Sequence, residues 1–252
     1  MANSRSGDKL LDRMVRILES FTADEPLLTV AQIAERADLP AATAYRLVGD
    51  LADQGLVVRE AGGVRLGLRL WELANRASAA RDLRRIALPY LEDLNQLLRQ
   101  HTQLSVLHED EVLVLERLSR PGAAVNKADV AGRLPVHRTS MGMVLLAFAP
   151  AHVQADYLAR HGASAAERHG DIRRLLTDIR HHGYASFHGF VDDTTTGAAA
   201  PILDRSGHAV AAVGVVIPRG SDALAAVVMA LMTAARGASR DLQGGGGRPV
   251  SH

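Results

Sequence analysis

The chain has 252 residues, of which 47% are hydrophobic and 23% charged, a composition typical of a globular protein with room for one large or two small domains. It contains no cysteine, which excludes a disulfide framework and thiolate chemistry, and no apolar run or N-terminal pattern indicates a membrane span or signal peptide, so we expect a cytoplasmic protein. The net charge is +1, and residues 1–80 carry ten basic and eleven acidic side chains, so any attraction to nucleic acid must be local.

The first predicted element is an amphipathic helix that follows a short polar stretch. Residues 1–7 are small and polar, and we expect them to be disordered. Residues 10–22 place apolar side chains at helical spacing, and Asp8 is predicted to cap this helix. Arg13 and Arg16 are interpreted as part of its solvated face.

Residues 29–54 predict two short helices joined by a tight turn. Thr29 and Gln32 have the spacing of a capping box, and Pro40, which a helix tolerates only in its first turn, marks the start of the second helix. The apolar stripe of that helix is predicted to be Ala44, Leu47, Val48 and Leu51. This pattern matches the helix-turn-helix that enters a DNA major groove, with a helical hairpin inside a core as the alternative.

A β-hairpin is predicted directly after the second helix. The β-prone runs 56–60 and 64–66 flank Ala61, Gly62 and Gly63. In this place a hairpin forms a wing, and Arg59 and Arg65 beside its tip would meet phosphates or a minor groove.

The rest of the chain mixes helical and strand periods. Residues 68–80 predict a helix that carries the only tryptophan, Trp71, and residues 82–100 predict a second helix that Pro89 kinks or breaks near Ala87. Strands are predicted over 103–108, 112–118, 123–129, 184–191, 198–203 and 208–217, and helices over 139–149, 151–161, 171–182 and 222–242. These elements predict an α+β domain in which helices bracket an antiparallel sheet of five or six strands.

Several motifs in residues 9–241 resemble the IclR family of bacterial transcriptional regulators. They are LPAATAYRL at 39–47, LGLRL at 66–70, LPVHRTSMG at 134–142, GY at 183–184, and AAAP at 198–201 followed by Gly207 and AAV at 211–213. The resemblance implies an N-terminal winged helix-turn-helix over 8–67, a linker helix over 68–82 that helps to pair two subunits, and a GAF-like effector domain over 83–242. Residues 243–252 are predicted to be a flexible tail.

The motif and the resemblance together predict the residues that contact DNA. They are Thr29, Ala41, Ala42, Thr43, Tyr45, Arg46, Arg59 and Arg65. For two of them a structural role is the alternative: Tyr45 would pack on the first helix of the motif, and Arg46 would pair with Asp50 one helical turn along.

A second site is predicted where residues 133–142 open a helix, because unpaired N–H groups and the helix dipole favour an anion there. The resemblance implies that the effector binds at this helix start, against the last strands of the sheet. The predicted effector-binding residues are Thr139, Ser140, Met141, Gly142, Phe187, Gly197, Gly214 and Val216. The alternative is that Thr139 only caps the helix and Gly142 only permits close packing.

The chain departs from the family pattern at this pocket. Met143 stands where members often carry Lys, and Phe190 stands where Glu is common. Gly197, Gly214 and Val216 stand where members often carry Ser or another small polar residue. These differences imply a roomier and less polar pocket. They predict a neutral or aromatic effector, or an anion held only by the helix start, rather than a tightly held small keto acid.

The sequence therefore predicts a ligand-responsive repressor that binds a double-stranded DNA operator as a homodimer or a dimer of dimers, with an organic acid or an aromatic or neutral metabolite as effector. No enzyme motif, cofactor or metal site is predicted, because the eleven histidines lack the spacing of zinc ligands. Asp192, Asp193 and the threonines 194–196 are interpreted as a polar loop. The alternative is a small-molecule-binding or enzymatic domain whose helical N-terminal module serves association and does not bind DNA.

Overall fold

The computed structural model describes residues 8–22, 24–76, 79–124 and 129–244. The chain divides into two compact units, Met1–Ser78 and Ala79–His252. The predicted disorder over 1–7 lies outside the described residues. Within the described ranges, no helix is both long and apolar enough to cross a membrane.

The first unit is a winged helix-turn-helix. Its elements are α1 (Leu10–Glu19), α2 (Val30–Arg36), α3 (Ala41–Asp53), β1 (Val57–Glu60), β2 (Gly63–Leu66) and α4 (Leu68–Arg76). The predicted capping box is confirmed, because Gln32 N–H donates to the Thr29 hydroxyl at 3.3 Å and Thr29 N–H donates to the Gln32 side chain at 2.9 Å. The predicted apolar stripe of α3 is buried and packs into the core of this unit.

Two expectations for α1 are wrong. Lys9 is the residue that precedes its first turn, and Asp8 pairs instead with Arg16 at 2.7 Å. Arg16 is not simply solvated, since its Nε also donates to the carbonyl oxygen of Ala37 at 2.9 Å. A carbonyl at a helix end lacks a partner within the helix, so the guanidinium satisfies it and ties α1 to the end of α2.

The second unit is a six-stranded sheet with helices on both faces. Its strands are β3 (His101–His108), β4 (Glu111–Leu118), β5 (Arg133–Pro135), β6 (Ala185–His188), β7 (Thr195–Leu203) and β8 (Ala209–Pro218), in the order β5-β4-β3-β8-β7-β6 with every pair antiparallel. The helices are α5 (Ala79–Leu98), α6 (Ser140–Ala147), α7 (Ala151–His169), α8 (Ile172–His182) and α9 (Leu224–Gly244). Helices α5 and α9 pack on one face and α6 and α8 on the other, which confirms the predicted α+β fold.

Several predicted element bounds differ from the observed ones. In the predicted strand over 123–129, residues 123, 124 and 129 are not strand, and residues 125–128 lie outside the described part of the chain. The strand that pairs with the outer side of β4 is β5, which forms one edge of the sheet. Helix α7 continues to His169 because Gly162 is tolerated between helix-forming alanines, and it ends only where Gly170 takes φ +69°.

The structure describes the predicted linker and tail in part. Residues 68–76 of the linker form α4, and residues 77 and 78 lie outside the described part of the chain. Residues 79–82 belong to α5, which continues through Pro89, so the expected break near Ala87 does not occur. The last helix includes two residues of the predicted tail, since α9 ends at Gly244, and residues 245–252 lie outside the described part.

Candidate nucleic-acid interface and ligand pocket

The start of α3 presents most of the predicted DNA-binding residues on its solvent side. Ala41, Ala42, Tyr45 and Arg46 are exposed, and Thr43 is half-buried. Tyr45 is 56% exposed, so its ring is accessible to a partner outside the chain.

The second structural alternative for this helix is present. Arg46 Nη1 pairs with Asp50 at 3.1 Å, one helical turn along. Both side chains are largely exposed, so the ion pair contributes little stability and leaves the guanidinium available to another partner. Thr29 lies at the exposed start of α2, where its hydroxyl serves the cap.

The two wing arginines lie on opposite faces of the β1–β2 hairpin. Arg59 is directly opposite Val64, whereas Arg65 is directly opposite Val58. The Arg59 guanidinium donates to the backbone oxygen of Tyr45 at 3.4 Å, so this side chain lies against α3. Arg65 instead pairs with Glu60 at 3.5 Å. The structure therefore brings Arg59, and not Arg65, to the candidate recognition helix.

The second unit contains a pocket between α6 and the sheet. Together with its opening to solvent, it spans about 560 Å³ of space free of atoms. Seven of the eight predicted effector residues line it: Thr139, Ser140, Met141, Phe187, Gly197, Gly214 and Val216. Helix α6 and strands β6, β7 and β8 supply them, so residues far apart in sequence meet at one place.

The eighth residue, Gly142, lies outside the pocket lining. A Cβ atom here would overlap the carbonyl oxygen and Cα of Val136 in the turn before α6. Its N–H donates to the Thr139 hydroxyl at 2.9 Å, which caps the helix. The structural alternative for Thr139 and Gly142 is thus present, and ligand contact by Thr139 and Ser140 stays a prediction.

The two pocket glycines do not provide the expected extra room. A Cβ at Gly214 would lie 2.7 Å from the Met141 sulfur, so the Met141 side chain already fills that space. Above Gly197 lies Ser140, whose hydroxyl donates to the Gly197 carbonyl at 2.6 Å. The expectation of a roomier pocket is therefore wrong at these positions, because α6 packs directly onto the glycines.

One wall of the pocket is aromatic. The rings of Phe187 and Phe190 are stacked, with centroids 4.5 Å apart and planes 13° from parallel. The guanidinium of Arg168 lies 4.3 Å from the centre of the Phe190 ring, and the His169 ring contacts both phenyl rings at 5.3 and 5.0 Å. Such packing fixes the orientation of the two rings that line the pocket.

Polar contacts hold the turn before α6 to α7. The Tyr157 hydroxyl lies 2.8 Å from His137 Nδ1, and His169 Nε2 donates to the His137 carbonyl at 2.7 Å. Burial lowers the pKa of His137, and nearby His161 and His169 act in the same direction, so the imidazole is neutral at pH 7. Hydrogen bonds from Arg160 and His161 lower the pKa of Asp110, in the β3–β4 turn, to about 2.

The described residues that line the pocket carry one negative charge and no positive charge. Among the described residues that line it, Asp192 alone is charged, and its carboxylate accepts a hydrogen bond from Thr194 N–H at 2.9 Å. No group of His, Cys, Asp or Glu side chains in the described ranges has the arrangement of a metal site. The pocket therefore offers apolar area and hydrogen bonds rather than a cation.

Three polar residues that line this pocket were not among the predicted effector-binding residues: Gln103, Asp192 and Thr195. Gln103 on β3 lines the pocket beside Gly214, its partner in the β3–β8 register. The sequence pattern predicted both β3 and β8 as strands but not that they pair, because β8 follows more than a hundred residues later in the chain.

Family models match both units. The model described as the IclR helix-turn-helix domain matches residues 10–61. The model described as Bacterial transcriptional regulator IclR C-terminal matches residues 76–241, well over half of the chain. The chain belongs to the IclR family of bacterial transcriptional regulators. As an IclR-type protein it is a DNA-binding transcriptional regulator with an effector-binding C-terminal domain.

Relatives of this IclR-family chain align with nearly its whole length. The glycerol operon regulatory protein of Streptomyces coelicolor is 30% identical over 249 residues, which are 93% of this chain and 96% of the relative. A crystal structure of an IclR homologue from Microbacterium hydrocarbonoxydans, complexed with 4-hydroxybenzoate, is 43% identical, with a TM-score of 0.85 over 93% of this chain and 99% of that one. An IclR homologue from Microbacterium sp. strain HM58-2 is 40% identical, with a TM-score of 0.59 over 96% and 100%.

Proposed function

We propose that this IclR-type protein is a repressor that binds its operator through α3 and the wing and releases it when a small aromatic molecule enters the pocket of its second unit. The observation that carries the proposal is the pocket itself, which joins an apolar lining and a stacked phenyl pair to a few hydrogen-bonding groups. The 4-hydroxybenzoate complex of the Microbacterium hydrocarbonoxydans homologue supports an aromatic ligand. Because its target is DNA, the protein acts in the cytoplasm.

On the DNA side, Tyr45 and Arg46 at the exposed start of α3 read base edges, while Thr43 and the preceding alanines allow close approach to the backbone. Arg59 contacts a phosphate beside α3. The near-neutral first unit limits non-specific affinity, so specificity depends on these few contacts.

On the ligand side, the absence of a cation among the described lining residues disfavours a small keto acid. Such an acid has little apolar surface and depends on charged partners for its carboxylate. An aromatic acid carries the same charge, but its ring gains free energy when its faces are buried against Phe187, Phe190 and Met141.

The direct test uses the full chain, fluorescence anisotropy and DNA from upstream of its own gene, at two salt concentrations. We expect tight binding with a steep salt dependence. Adding 4-hydroxybenzoate is expected to weaken DNA binding about tenfold or more. Calorimetry is expected to detect binding of 4-hydroxybenzoate to the protein in the absence of DNA. Pyruvate and glyoxylate serve as controls and are expected to have no effect.

The contrary outcomes separate the parts of the proposal. Strong binding of pyruvate or glyoxylate would contradict the aromatic ligand class. Binding of 4-hydroxybenzoate with no change in DNA affinity would contradict its regulatory role. If the upstream DNA is not preferred, self-regulation is wrong, and a genomic selection for bound fragments then tests operator recognition itself.

An exposed apolar groove in the first unit supports the proposal of a homodimer. Leu66, Leu68 and Trp71 line it together with Val58, and the Trp71 side chain is 63% exposed. We expect Trp71→Ser to convert the dimer to a monomer in sedimentation equilibrium. Leu97→Ser removes an equally exposed apolar side chain from α5 and is expected to leave the dimer intact. A Trp71→Ser protein that remains dimeric would show that the subunits pair through another surface. A tetrameric wild type would indicate that two such dimers associate.

A further inference from the structure

Gln103 is the most deeply buried polar side chain of the ligand pocket. It is 2% exposed, and its side-chain Nε2 has no hydrogen-bond partner among the described residues. Buried polar groups without partners are uncommon in native proteins because burial removes their hydrogen bonds to water. An unpaired amide that lines a pocket therefore indicates a partner that enters from outside the chain.

Neighbouring polar groups do not supply that partner. The Ser140 hydroxyl donates to the Gly197 carbonyl at 2.6 Å, and the Ser105 hydroxyl donates to the Met141 sulfur at 3.1 Å. Thr139 accepts from the N–H of Gly142. Ser140 and Ser105 thus hold α6 to the sheet and Thr139 caps α6, so each of these side chains has a partner within the chain, whereas Gln103 Nε2 has none among the described residues.

The register of the sheet keeps Gln103 in place. Strand β3 lies between β4 and β8, and Gln103 is opposite Gly214 in the register. Both residues line the pocket together with Met141 of α6. The preceding residue, Thr102, faces the other side, where its hydroxyl donates to the carbonyl of Leu91 at 3.2 Å. A side chain on a central strand is more rigidly positioned than one on a loop.

We infer that Gln103 is the specificity-determining residue of the pocket: its amide hydrogen-bonds an oxygen at the buried end of an aromatic ligand. The inference rests on the proposed function, because it concerns the same pocket. A neutral amide accepts ligands whose buried end carries a carboxylate, carbonyl or phenolic oxygen, and it disfavours a bare hydrocarbon end, which would leave the amide unpaired.

The test compares three probes, 4-hydroxybenzoate, benzoate and phenol, by calorimetry on the full chain and on Gln103→Met. Methionine keeps the length of the side chain and removes the amide. In the wild type, loss of the ligand oxygen that meets Gln103 is expected to weaken binding about 10- to 100-fold. In Gln103→Met that penalty is expected to shrink to about threefold or less, as in a double-mutant cycle.

The unfolding temperature of the ligand-free protein is a second readout. If Gln103 served only to stabilise the fold, replacing it would lower that temperature, which is the opposite of the result expected here. Because Gln103→Met removes an unpaired buried amide, the ligand-free variant is expected to unfold at or above the wild-type temperature. The control Thr102→Val removes a paired hydroxyl on the other face of β3, and we expect a lower unfolding temperature with unchanged ligand affinity.

A second variant keeps the inference testable if Gln103→Met folds poorly. Gln103→Glu keeps the shape of the side chain and replaces the amide by a carboxyl group. If the ligand carboxylate is the buried end, this variant is expected to lose affinity for 4-hydroxybenzoate and benzoate more than for phenol, because like charges repel. Equal ligand preferences in wild type and both variants would overturn the inference while leaving the proposed function intact. A wild type that binds none of the three probes would overturn both.

Discussion

Replacing Arg46 by alanine is expected to weaken binding to the operator about 10- to 100-fold while leaving the fold unchanged. An arginine at the start of a recognition helix pairs with guanine O6 and N7, and losing such a contact costs about 1–3 kcal/mol and relaxes sequence preference at that position. The Arg46 side chain is 59% exposed and its ion-pair partner among the described residues is Asp50, so exchanging that partner for a base costs little. Fluorescence anisotropy with the preferred site and with single-base variants measures both effects.

A matched control for Arg46→Ala lies in the second unit. Arg85 is also an exposed helical arginine with an acidic partner on its own helix, Asp82 at 3.9 Å, and Arg85→Ala is expected to bind DNA as the wild type does. Arg59→Ala gives a contrast, because loss of a phosphate contact is expected to weaken binding to all DNA sequences alike. It is also expected to lower the slope of log affinity against log salt concentration by about one. Equal affinity and equal sequence preference in Arg46→Ala and wild type would assign base recognition to other residues, with Tyr45 the next to test.

Replacing Gly142 by alanine is expected to destabilise the second unit by about 3 kcal/mol or more. The added Cβ overlaps backbone atoms of Val136, and backbone cannot move aside as a flexible side chain can. Every residue of α6 is buried, so the helix cannot shift outward without opening the core. We expect the unfolding temperature of this unit to fall by about 6–12 °C, measured by calorimetry, with ligand affinity lowered through displacement of Ser140 and Met141.

The control for Gly142→Ala is Gly162→Ala. Gly162 also lies in a helix, α7, but no atom is within 4 Å of the added Cβ, so alanine is expected to stabilise by up to about 1 kcal/mol. If Gly142→Ala unfolds at the wild-type temperature, the close contact between α6 and the preceding turn is not required. If it is stable but loses ligand binding, Gly142 contacts the ligand directly, as the family resemblance implied.

The regular parts of both units were predictable because their signals are local. The capping box of Thr29 and Gln32, the break at Pro40 and the buried stripe of α3 depend on residues within one or two helical turns. Most strands of the sheet were predicted for the same reason, from their period of two. Strand β5 was missed because a three-residue edge strand carries almost no period.

Local sequence patterns were enough to predict the winged helix-turn-helix and the α+β second unit, and the motifs were enough to identify the IclR family. Which side chains meet depended on how the elements pack together. Strand register put Arg59 and Arg65 on opposite faces of the wing, and packing of α6 filled the space above Gly214 with Met141. Pairing of β3 with β8 buried Gln103, whose Nε2 has no hydrogen-bond partner in the part of the chain that the structure describes. The physical reason is that contacts between distant residues depend on register and packing, which leave no period in the local sequence.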